Sequence, residues 1–121
     1  MRVVFDTNVL IDYLNGVPQA KEEIARYKKR YVSIATWMEV LAGARDGAEM
    51  DLLRVFLAGF EIVELDRPIA EAAIELRRTH RVRLPDVIIW ATARTLDGLL
   101  VTRNTRDFPE RDPDVRVPYR L

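Results

Sequence analysis

The sequence predicts one α/β domain over residues 1–121, with a central, mainly parallel sheet flanked by helices on both faces. Three observations carry that reading. Short β-branched and aromatic runs alternate with helix-period segments along the whole length, the pattern of parallel strands joined by right-handed crossovers. One run, Leu99-Leu100-Val101-Thr102, is apolar in succession, as a strand buried on both faces requires. The chain's 121 residues, 49% hydrophobic and 31% charged, suit a single domain that removes roughly two-thirds of its unfolded surface from water. No linker, repeat or low-complexity stretch divides them.

The elements follow in order. Val3-Val4-Phe5 reads as a buried strand ending at Asp6-Thr7-Asn8, residues that favour turns and helix caps. Val9 to Leu14 has helical periodicity and is closed by Asn15-Gly16. Pro18 opens a second helix carrying Ala20, Ile24 and Tyr27 on one face, ended by the cations Lys28-Lys29-Arg30. Tyr31 to Ile34 is a second strand, after which Thr36 caps a helix through Trp37, Val40 and Leu41 to Gly43. A further helix runs from about Ala48 to Leu57. Glu61 to Leu65 alternates polar and apolar, as an edge strand does. Asp66 and Pro68 open a helix with Ile69, Ala73 and Leu76 inward, and Pro85 opens another over Ile88, Ile89, Trp90 and Ala93. After strand Leu99–Thr102 come a loop from Arg103 to Pro109 and a last short strand at Val115-Arg116-Val117. Trp37, Trp90 and Phe56 fall at core or interface spacings.

Composition narrows the chemistry. Cys 0 removes disulfides, thiolate nucleophiles and Cys-based zinc sites, and suits a reducing cytoplasm. Met1 to Leu14 lacks a signal peptide's sustained apolar run, and no later stretch approaches a membrane span. One histidine, His80, leaves no pair for acid–base hydrolysis of RNA, and one serine makes a poor case for a Ser–His–Asp triad. No glycine pattern forms a dinucleotide or phosphate loop. Lys+Arg 19 against Asp+Glu 19 gives no overall field, so any nucleic-acid binding is local.

Carboxylates remain. In an open α/β sheet the functional crevice lies beyond the carboxyl ends of the strands, and acids follow them there. Asp6 follows the first strand, Glu39 lies near the second, and Asp107 is in the loop after the Leu99 strand. Asp86 opens the helix that feeds that strand, which brings it to the same rim. Each has a structural rival: Asp6 as a cap, Glu39 as partner in a Thr36-x-x-Glu39 capping box, Asp86 in the macrodipole of a first turn, and Asp107 as a turn cap. Other acids, Glu22, Glu23, Glu71 and Glu75, read as polar helix faces. Four carboxylates within about 5 Å of one another repel by roughly 3 kcal/mol per pair at an effective dielectric near 20. A cation resolves this, and an all-oxygen site selects Mg²⁺ or Mn²⁺. Such a centre suits phosphate esters. Arg103 and Arg106 beside Asp107, and Arg81 and Arg83 ahead of Asp86, are the cations placed to track a nucleic-acid backbone; His80 reads as a surface helix end.

With those residues in place, the sequence resembles the PIN-domain ribonucleases, and among them the VapC toxins of prokaryotic toxin–antitoxin pairs. The matching segments are Val3–Asp12 (VVFDTNVLID), Thr36–Gly43 (TWMEVLAG), Leu84–Ala93 (LPDVIIWATA) and Leu100–Phe108 (LVTRNTRDF), four in family order across almost the whole chain. The resemblance implies a single PIN-like domain that hydrolyses RNA as a Mg²⁺- or Mn²⁺-dependent endoribonuclease. Asp6, Glu39, Asp86 and Asp107 would be its acidic cluster: Asp6 and Asp86 on the metal, Glu39 on it or through water, and Asp107 as the fourth member. A metal-activated water would attack the phosphodiester in line, with Thr7, Asn8 and Asn104 orienting the ligands. It further implies a homodimer and a small antitoxin partner. Many PIN domains carry Asp where this chain has Asn104, so Asp107 binds metal directly, binds it through water, or only positions Asn104. Two alternatives stand beside this reading: a non-cleaving RNA- or protein-binding module of the same fold, and a Mg²⁺-dependent phosphohydrolase of the haloacid dehalogenase type. The second lacks its second Asp, where Asn8 stands, and its lysine.

Overall fold

The structure, a computed structural model, describes residues 2–121. Its elements are β1 (Val3–Phe5), α1 (Thr7–Leu14), α2 (Pro18–Ala25), β2 (Arg30–Ser33), α3 (Ile34–Ala42), α4 (Gly47–Leu57), β3 (Glu61–Val63), α5 (Arg67–Thr79), α6 (Leu84–Thr95), β4 (Leu99–Val101) and β5 (Val115–Arg116). The strands form one sheet in the order β3-β2-β1-β4-β5, and every pairing is parallel. The alternating strand β3 is an edge, as its pattern requires, and the apolar β4 is interior.

Side chains alternate across the sheet and so feed two cores. Val4 and Leu100 face α5 and α6, where Ile69, Ala73, Leu76, Trp90 and Phe108 are buried. Val3, Phe5, Val32 and Val101 face the other layer, with Val9, Leu10, Ile24, Val40 and Leu57. Trp90 is fully buried, meeting Phe108 edge-on at 5.7 Å and His80 at 4.8 Å. Phe56 stacks on Tyr13, and Trp37 lies under Arg54. These aromatic rings serve packing. At Gly98 the turn into β4 passes so close to β1 that an added Cβ would lie 2.5 Å from the Arg2 carbonyl oxygen.

Three expectations need correction. Helix α2 stops at Ala25 rather than running to the cations, because Arg30 already opens β2. Helix α3 starts at Ile34, capped by Ser33, whose hydroxyl accepts the Ala35 N–H at 3.0 Å. Thr36 is therefore inside the helix, not its cap, and the capping box with Glu39 does not exist. Glu23 is not on a polar face; it is buried, and Arg116 reaches it across 93 positions of sequence. None of the described helices is long and apolar enough to cross a membrane.

Candidate metal centre

The parallel sheet fixes where the acids meet. Phe5 pairs with Val101, so the next residues on the two strands, Asp6 and Thr102, leave the sheet side by side. The Thr102 hydroxyl donates to Asp6 Oδ2 at 2.7 Å in a buried bond, and Asn8 Nδ2 donates to the same oxygen at 3.2 Å. Asp6 is also the N-cap of α1, with Oδ1 accepting the Thr7 N–H at 2.8 Å. Capping and site geometry are thus one arrangement rather than rivals.

Glu39 comes from α3, one turn after Thr36 on the same face. Both meet Thr7, whose hydroxyl lies 2.6 Å from Glu39 Oε1 and 3.0 Å from Thr36 Oγ1. Asp86, in the first turn of α6 and 6% exposed, lies 3.3 Å from Arg83 Nη2. A cavity of about 290 Å³ is lined by Asp6, Thr7, Asn8, Ile11, Glu39, Arg83, Asp86, Arg103 and Asn104. Three of the four expected acids share its wall. Asp107 stands behind Asn104, accepting its Nδ2–H at 2.9 Å and returning its own N–H to Asn104 Oδ1 at 3.2 Å. Arg106 and Arg81 are exposed outside the cavity. Arg103 lines it, but its guanidinium is turned to Asp12.

Burial dominates the electrostatics. It pushes the Asp6 carboxyl up to about 6, with Asp86 and Glu39 adding repulsion against the hydrogen bonds from Thr102 and Thr7. Asp86 is likewise pushed up, by burial first and then by Glu39 and Asp107, against the Arg83 charge. Among the described residues no three Asp, Glu or His side chains converge tightly enough to chelate an ion; the cavity acids are held apart on separate partners, Asp6 on Thr102, Glu39 on Thr7 and Asp86 on Arg83. The donor set still fits a hard divalent cation: all oxygen, an excess of negative charge, and two carboxyls whose charged forms burial disfavours and a cation would favour.

That charge has a measurable cost. Because Asp6 holds its proton more tightly folded than unfolded, stability of the metal-free protein falls as pH rises from about 4 through 6. A tenfold change in proton affinity corresponds to about 1.4 kcal/mol, so the loss over the whole window is about 3 kcal/mol. Urea unfolding in EDTA should show a lower midpoint at pH 7 than at pH 5, and added Mn²⁺ should remove the difference. A midpoint that is flat or rises over that interval would contradict the assigned environment of Asp6.

Thr102, Thr36 and Asp12 escaped sequence reasoning. The signal for Thr102 was its place at the end of the strand paired with β1; Thr36 was hidden by its similarity to a helix cap, and Asp12 had no local signal, since its partners Arg103 and Tyr119 lie far along the chain.

Comparison with known proteins bears on the whole chain. The PIN domain signature matches residues 3–112. Ribonuclease VapC19 and ribonuclease VapC10 of Mycobacterium tuberculosis are each 31% identical, the alignments covering 96% of this chain and 98% and 95% of those proteins. Among solved structures, a toxin–antitoxin complex from Klebsiella pneumoniae matches at a TM-score of 0.92 and 38% identity, over 98% of this chain and 99% of that one. FitAcB from Neisseria gonorrhoeae shares the fold at a TM-score of 0.80 and 23% identity, over 98% and 99% of the two chains. With the signature spanning every strand but the last, and relatives aligned almost end to end, the chain belongs to the PIN domain family.

Proposed function

We propose that this protein is a divalent-metal-dependent endoribonuclease and the toxin of a toxin–antitoxin pair. The observation that carries the reading is the cavity at the carboxyl ends of the strands, where Asp6, Glu39 and Asp86 arrive from three separate elements and burial leaves Asp6 poorly neutralised. Asp6 and Asp86 would hold Mg²⁺ or Mn²⁺ directly and Glu39 through water, while Asp107 supports Asn104 in the wall. When bound, such a cation supplies Lewis acidity: it offsets carboxylate charge, makes water nucleophilic at neutral pH and stabilises charge on phosphate oxygens.

The remaining work falls to the chain's own groups. Thr102 and the Thr7 N–H fix the two oxygens of Asp6, so it presents one orientation. Thr7 keeps Glu39 against α1. Arg83, highly exposed beside Asp86, is placed to meet a backbone phosphate at the cavity mouth, with Arg81 and Arg106 further along the surface. The ribonuclease names of the two mycobacterial relatives support RNA as the substrate, and the Klebsiella complex supports an antitoxin partner. A groove of about 560 Å³, apolar at Ile11, Leu14, Leu52 and Leu53 and polar at Asn15, Arg45 and Glu49, shares Ile11 with the acidic cavity, a mixed surface suited to a partner that reaches the site. Homodimerisation and a cytoplasmic location, where RNA and antitoxin are met, belong to the same proposal.

Purified protein incubated with structured RNAs should cleave them with Mg²⁺ or Mn²⁺ and not with excess EDTA. Expression alone should arrest growth, and coexpression of an adjacent small gene should relieve it. Cleavage that persists in EDTA would overturn the metal mechanism, and tight RNA binding with no cleavage under any metal would make the protein a binding module.

A further inference from the structure

Two buried carboxylates lie outside the acidic cluster, Asp12 at 5% and Glu23 at 3% exposure. Each is closed by the same chemistry. Glu23 accepts Arg116 Nε at 2.7 Å and Nη2 at 2.9 Å, and the Tyr27 hydroxyl at 3.0 Å. Asp12 accepts Arg103 Nε at 2.6 Å and Nη2 at 2.9 Å, and the Tyr119 hydroxyl at 2.8 Å. A bidentate guanidinium fixes direction as well as distance, which a point charge does not.

Their settings differ. No member of the Glu23 trio lines the acidic cavity, whereas Arg103 does. Asp12 lies one helical turn after Asn8, so the same face of α1 holds Arg103 twice. Asn8 Oδ1 accepts the Arg103 backbone N–H at 3.3 Å, while Asn8 Nδ2 donates to Asp6. The next residue, Asn104, is in the cavity wall, and its N–H donates at 2.9 Å to Thr102 Oγ1, the hydroxyl that holds Asp6.

We propose that Asp12 is a positioning residue for the acidic cavity: through Arg103 it locks the loop after β4 onto α1, and through Tyr119 it makes the C-terminal segment part of that lock. The pairing also keeps the Arg103 guanidinium off the cavity carboxylates. The catalytic consequence rests on the ribonuclease reading; the lock itself does not.

Glu23→Gln is the matched control for Asp12→Asn, since each removes the anion from a bidentate arginine and tyrosine. In metal-free protein, Asp12→Asn should accelerate amide hydrogen exchange at Arg103 and Asn104 at least about tenfold more than Glu23→Gln does. It should also weaken binding of Mn²⁺, titrated alone by its electron paramagnetic resonance signal, and lower kcat on a fluorescent RNA by about 10- to 100-fold with little change in KM. Glu23→Gln should lower the melting temperature yet leave kcat and Mn²⁺ affinity unchanged. Tyr119→Phe, which keeps the ion pair, should give a smaller, about fivefold, version of the Asp12 effect. Equal exchange at Arg103 and Asn104 in the Asp12 and Glu23 variants overturns the proposal. If Asp12→Asn does not fold, the comparison of Tyr119→Phe with Tyr27→Phe decides by the same readout, parity again overturning it. A wild-type protein that neither binds Mn²⁺ nor cuts RNA refutes the ribonuclease reading, while the exchange comparison still decides the lock.

Discussion

Replacing Asp6 by Asn should reduce RNA cleavage by about 10³-fold, the scale on which removal of one preorganised charge-stabilising group is felt. Asp6 is the acid with the fewest substitutes. It is 4% exposed, no cationic side chain among the described residues pairs with it, and its oxygens are fixed by Thr7, Asn8 and Thr102. An amide at this position keeps the shape and removes the charge. Its NH₂ must also face either the Thr7 N–H or the two donors on Oδ2, so the side chain cannot satisfy the donors that now converge on it. Asp86→Asn should be similarly severe, because Asp86 is the second buried acid of the cavity. Asp107→Asn should cost far less, since Asp107 acts behind Asn104. RNA cleavage rates at saturating Mn²⁺, with circular dichroism to verify folding, separate these cases. Equal activity of the Asp6 and Asp107 variants would sink the proposed ranking of the acids.

Arg116→Ala should destabilise the fold by about 3 kcal/mol or more, as removal of one partner of a buried ion pair does, and lower the melting temperature by about 10 °C. The two partners are unequal. Glu23 has a side chain 4% exposed and Arg116 one that is 32% exposed, so losing the arginine leaves a buried anion with only the Tyr27 hydroxyl and Arg26 at 3.9 Å, whereas losing the glutamate leaves a cation that water can reach. Glu23→Ala should therefore cost less than Arg116→Ala in chemical denaturation. Because Arg116 and Tyr27 hold the Glu23 carboxyl below its ordinary range against the opposing effect of burial, the pair's stabilisation is full above the ordinary carboxylate pKa and fades as pH falls through the lowered one. A larger loss from Glu23→Ala than from Arg116→Ala would contradict that asymmetry.

The backbone architecture was legible because apolar runs, helix periods, prolines and Asx residues all carry local signals. Asp66 caps α5 through the Ile69 N–H, and Pro85 lies in the first turn of α6. Topology was the signal for the acids, since strand ends converge by rule; the cavity gathers Asp6, Glu39 and Asp86, whereas Asp107 lies behind Asn104 and does not line it. What escaped was long-range polar pairing. Nothing local in DTNVLID tells that Asp12 will meet Arg103 and Tyr119, or in PQAKEEIA that Glu23 will meet Arg116, because partners more than 90 positions away leave no periodicity behind. Thr36 failed for the opposite reason: a correct local pattern, Thr-x-x-Glu, was displaced by a strand that ends one residue sooner.

The pairing of β1 with β4 has a consequence for the order of synthesis. Asp6 leaves the ribosome ahead of Thr102, which holds its carboxylate and follows 96 positions later. At about 5–20 residues per second, the nascent chain grows for roughly 5–20 seconds with an acidic turn that has no wall opposite it. The cavity closes only once β4 has been made and has paired with β1, so whatever it does to its surroundings waits on that late pairing.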